Sequence, residues 1–127
     1  MTREEKQLLL KDLCARLTYG LKVQIDFGEH CAKYGIDRYA DDTVICVWPE
    51  TFEVGVNDED QACYIEDIKP YLRTFDSMTD EEKENLFQLM GNGTDIERVD
   101  FYISHHLNYR GLISMGLALE APEGMYN

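Results

Sequence analysis

The sequence predicts an α+β fold: an N-terminal helix, a small antiparallel sheet or SH3-like barrel, and two to three C-terminal helices. Three observations carry that reading. Apolar residues first recur at helical spacing, then alternate at period two from Leu21, and clear helix-start signals return only at Thr79 and Thr94. At 127 residues the chain is one domain in size. It divides into a helix-plus-strand half over 1–74 and a helical half over 75–127, with a polar joint at Thr74–Thr79 between them.

The first helix starts at a capping box, Thr2 with Glu5 three residues on, in which each side chain satisfies the other's backbone N–H. Leu9, Leu10, Leu13, Cys14 and Leu17 then form an inward stripe, while Asp12 and Arg16 pair on the outer side. Gly20 supplies a left-handed stop. Leu21, Val23, Ile25 and Phe27 alternate with Lys22, Gln24 and Asp26, the pattern of a half-buried strand. Gly28–Asp42 reads as irregular, with Gly35 and Asp41-Asp42 as turn signals. Thr43–Trp48 and Thr51–Val56 form a hairpin around Pro49-Glu50, and Asn57–Gln61 turns the chain into a strand over Ala62–Ile68, kinked before Pro70.

In the back half, Thr79 with Glu82 and Thr94 with Glu97 repeat the capping box. Leu86, Leu89 and Met90 are expected to face inward on the first of these helices, which Gly91 and Gly93 end. Ile96, Val99, Ile103 and Leu107 line the second, with His106 beside them and a stop near Asn108. The tail from Leu117 reads as extended.

Charge narrows the function. Twenty-five acids against twelve bases give a net charge of −13. The first 25 residues are slightly basic, and the acids collect in Asn57–Asp67 and Asp76–Glu84. Such a field repels phosphate, so no direct nucleic-acid binding is expected, although an acidic surface can imitate nucleic acid or meet a basic partner. Apolar runs are far too short for a membrane span, and MTREEKQ carries two acids where a secretion signal needs an apolar run. A cytoplasmic location follows as the expectation. The four cysteines, 14, 31, 46 and 63, are too widely spaced for a C-x-x-C motif and read as reduced, mostly buried thiols.

Nothing in the pattern gathers reactive groups. His105 and His106 point about 100° apart on a helix and cannot clamp one metal together; His106 reads as a core histidine and His105 as exposed. His30-Cys31 lacks the opposed geometry that a thiol nucleophile and its base need. Asp58-Glu59-Asp60 lacks the glycine and distal glutamate of a calcium loop. No cofactor, metal or catalytic residue is expected. The aromatic and arginine residues are more informative. Trp48, Tyr64 and Tyr71 fall on strands with Arg73 following, and Tyr109 and Arg110 lie near the C-terminal turn. These residue types dominate interface hot spots, with core packing as the competing role.

Three stretches, LLLKDLCARLTYGLKVQ, IKPYLRTFDSMTDEE and ISHHLNYRGLISMGLALEAPEGMY, resemble a family of small uncharacterised proteins of gut Bacteroidales, their mobile elements and phages. The resemblance covers about half the chain. That family usually has proline at the position of Thr18 and Pro-Met-Ser-Ser at Thr74–Ser77. It implies an intracellular accessory protein of bacterial or phage origin and carries no site residues. The functional expectation is a non-enzymatic accessory or interaction factor with a protein partner and no membrane. The alternatives are a nucleic-acid mimic that blocks a DNA-handling protein and a small metal-dependent or thiol enzyme.

Overall fold

The computed structural model describes residues 1–126. The fold is α+β, with an N-terminal helix, an open sheet and C-terminal helices. The chain divides into two compact units, Met1–Tyr71 and a second beginning at Leu72, just ahead of the polar joint.

In the first unit, α1 spans Arg3–Arg16 and starts at the Thr2/Glu5 capping box, with bonds of 2.9 and 3.1 Å. A 3₁₀ turn and Gly20 at φ 69° end it, a left-handed conformation that costs glycine nothing. Its buried stripe is Leu9, Asp12, Leu13 and Arg16. This corrects two expectations. Asp12 and Arg16 are fully buried and paired at 2.9 Å instead of lying outside, and Cys14 is exposed. Mutual neutralisation lets the ion pair occupy the core side, which rotates Cys14 towards solvent.

Five strands follow: β1 (Lys22–Asp26), β2 (Tyr39–Trp48), β3 (Glu53–Val56), β4 (Cys63–Tyr64) and β5 (Ile68–Leu72). Within this unit their order is β4-β3-β2-β1-β5 and each pairing is antiparallel. Among the described residues β4 and β5 do not pair with one another, so the sheet is open and the barrel alternative is not realised. β2 starts at Tyr39 and takes in Asp41-Asp42, which the sequence offered as a turn. Their carboxylates accept the Tyr71 hydroxyl and the Asp58 N–H, so tertiary partners displace the local turn that aspartate otherwise favours. A bulge between Val44 and Cys46 lets the long strand serve β1 with one half and β3 with the other. Val23, Ile25, Val54, Ile65 and Ile68 build the core with Leu9 and Leu13.

In the second unit, Arg73 bridges to the segment after the helices: its N–H donates to the His106 carbonyl at 2.7 Å, and its carbonyl accepts from Asn108 at 2.9 Å. β6 (Leu119–Glu120) follows, and Ala121 N–H donates to the Leu72 carbonyl at 2.8 Å. α2 (Asp80–Asn92) and α3 (Asp95–Ser104) both begin at capping boxes, as the sequence indicates. α3 stops at Ser104 because His106 turns left-handed at φ 56°. Leu72, Phe101, Leu107, Leu112 and Leu117 are buried here.

Candidate interaction surfaces

The six residues singled out from the sequence separate into two groups. Tyr71 and Arg73 are committed to the fold. Tyr71 is 8% exposed, and its hydroxyl donates to Asp41 Oδ1 at 2.6 Å. Burial and that bond push its pKa up to about 12. Arg73 grips Glu82 with both terminal nitrogens at 2.7 Å and also donates to the Ser77 carbonyl at 3.2 Å. The guanidinium, aided by the Thr79 N–H, holds the Glu82 carboxyl down to about 2. Tyr109 stacks on Tyr102, which meets Phe75 edge-on, and Arg110 lies 4.9 Å over the Tyr109 ring. Tyr102, Tyr109 and Arg110 are half-buried in that ladder, and Phe75 at its end is exposed.

Trp48 and Tyr64 are different: 47% and 62% exposed. Trp48 stands directly opposite Glu53, and Glu53 opposite Tyr64, so the three form one row across β2, β3 and β4 on a single face. Two local features shape the row. Phe52, in the turn between Trp48 and Glu53, holds φ 54°, uncommon for a bulky residue; its carbonyl accepts from Ile65 N–H at 2.9 Å. Gly55 has no side chain, and a Cβ there would sit 3.2 Å from Trp48 Cη2 and Cζ3 and closer still to Cys46 Sγ. The indole therefore lies against the β3 backbone where any other residue would crowd it.

The second surface was not foreseen. α2 buries none of its side chains, and Phe87, Met90 and Ile96 are 72%, 60% and 74% exposed. Met90 was expected inward, and so was Ile96, with Val99 at 37%. Leu86 and Leu89 are only half-buried. Periodicity marks the apolar stripe of a helix but not whether anything within the chain covers it. The hairpin is nonetheless firmly built. Arg98 donates to the carbonyls of Leu89 at 2.9 Å and Gly93 at 3.0 Å, and pairs with Asp95.

Among the described residues no group of His, Cys, Asp and Glu could hold a metal. His106 is buried and stacked 4.2 Å from Tyr126, with a core position as expected. His105, expected outside, is half-buried: it stacks 4.1 Å from Phe101, and its Nε2 lies 3.7 Å from Glu82. Cys31 is buried beside an exposed His30. Cys63 borders a cleft of about 340 Å³ with Asp26, Glu59 and Asp67. Burial first, then Glu59, Asp67 and Asp42, push its thiol up and away from the reactive thiolate. No described helix is long and apolar enough to cross a membrane. No family model matches the chain, and no curated protein or solved structure is similar enough to support a comparison.

Proposed function

We propose that this chain is a non-enzymatic accessory factor that works by binding a protein partner. The observation that carries the reading is the bare face of the α2–α3 hairpin, where Phe87, Met90 and Ile96 lie open. Large apolar side chains left exposed on a well-capped helix pair cost solubility unless something covers them. Residues 80–104 hold seven acids against Lys83 and Arg98, so the complementary occupant is a basic amphipathic segment laid along the hairpin. A cytoplasmic setting and an origin in a bacterium or phage belong to this proposal and rest on the sequence resemblance. Affinity purification from such a host should recover one reproducible partner, and Phe87→Ser with Met90→Ser should release it while leaving the helical circular dichroism intact. Recovery of no reproducible partner would count against the reading.

The nucleic-acid mimic is the weaker reading. Glu66 is paired with Lys6 at 3.0 Å and Glu82 with Arg73 at 2.7 Å, so neither is free to stand in for a phosphate.

A further inference from the structure

We infer that the Trp48–Glu53–Tyr64 row is a receptor for an arginine side chain presented by a protein partner. The inference rests on the protein-binding reading only for the source of the arginine. It concerns a different unit and different residues from the hairpin.

A carboxylate set between two aromatic residues matches a planar cation. Adjacent strands lie about 4.8 Å apart, which places Trp48 and Tyr64 roughly 10 Å from each other with Glu53 midway. A guanidinium lying on the indole face gains cation–π attraction, and its fork of N–H donors reaches the carboxylate. Glu53 is half-buried and makes no ion pair among the described residues. Where Asp26 holds Arg38 and Glu82 holds Arg73, Glu53 retains an open acceptor.

The surroundings favour the same occupant. Asp58, Glu59 and Asp60 are exposed on the loop leaving β3, at the far end of that strand from Glu53, and add to the unit's general negative field. β4 has only two residues, and Tyr64 stands on that short edge strand, open to an incoming side chain. Gly55 leaves room for the indole against β3, and the turn through Phe52 joins Trp48 to Glu53 opposite it. A strained residue next to an exposed aromatic–acid row is where a binding role is to be sought. Arginine is preferred over lysine because a planar, weakly hydrated fork can stack and bond together, whereas an ammonium is a compact hydrated point.

The protein contains a single tryptophan among eight tyrosines, so emission excited beyond the tyrosine absorption band reports this site. The full chain should be titrated with a short peptide bearing three arginines, its lysine and citrulline versions, and N-acetylarginine amide. The arginine peptide should change Trp48 emission saturably, at least threefold tighter than the lysine peptide, with no response to citrulline. Glu53→Gln should weaken binding at least fivefold and Tyr64→Ala at least threefold. Glu84→Gln removes the same charge elsewhere and should change little, and Phe87→Ser should leave the titration unaltered. Equal loss in Glu53→Gln and Glu84→Gln would reduce the effect to bulk charge and overturn the site. Absence of any arginine response overturns it too, while leaving the hairpin reading to its own purification test. Equal binding of lysine removes the arginine assignment. N-acetylarginine amide binding as tightly as the peptide would move the site to a free small cation and remove the protein partner.

Discussion

Glu82→Gln is the perturbation that tests the second unit most directly. Glutamine can keep the capping box, since it still accepts from the Thr79 N–H, but it cannot keep the charge that Arg73 grips. The carboxyl sits at about 2 in place of its ordinary 4.5, a difference worth about 3 kcal/mol in favour of the ionised form. Side-chain exposures of 15% for Glu82 and 17% for Arg73 leave some solvent screening, so a loss of about 2 kcal/mol is expected at pH 7. That corresponds to roughly a 30-fold fall in amide protection across Asp80–Asn92, readable by hydrogen exchange. The sign with pH follows from the depressed folded value. The stabilisation is complete above about pH 4.5 and is lost as pH falls towards 2, so wild type and variant should converge in acid. Protection within twofold of wild type at pH 7, or a stability gap undiminished at pH 2.5, would refute the argument.

Three further outcomes follow from other contacts. Asp12→Ala leaves Arg16 charged in the core and should cost about 3–5 kcal/mol in urea unfolding followed by Trp48 emission, whereas Asp12→Leu with Arg16→Met should recover most of it. A cost below about 1 kcal/mol for the single change would show that the pair is not what holds α1. Gly55→Ala pushes a methyl against Trp48 and Cys46 and should shift the emission maximum at a cost of about 1–3 kcal/mol; an unchanged spectrum would place the indole elsewhere. Tyr71→Phe should cost about 1 kcal/mol and remove from an ultraviolet titration one tyrosine that ionises at about 12. Because the folded value of about 12 is raised, the contribution of Tyr71 holds below about pH 10 and fades as pH climbs to 12.

Much of this molecule was legible in its sequence because the signals were local. The three capping boxes at Thr2, Thr79 and Thr94 formed as read, since each needs only side chains three residues apart. The alternation over Lys22–Asp26 gave β1 with its inner and outer faces, and Pro49 turned β2 into β3. The candidate row was half legible. Trp48 and Tyr64 stood out as aromatic, but no local rule sets Glu53 between them.

Sequence by itself determined where helices begin, which strands alternate and that the net charge is −13, because spacing and charge are properties of the chain itself. Tertiary structure alone decided that Asp12 and Arg16 go inside, that Asp41-Asp42 extend a strand and that α2 stays uncovered. Each of those outcomes turns on a partner distant in sequence, or on the lack of one within the described chain. An ion's counter-charge, a carboxylate's donor and a helix's covering surface are fixed only when the backbone brings remote residues together.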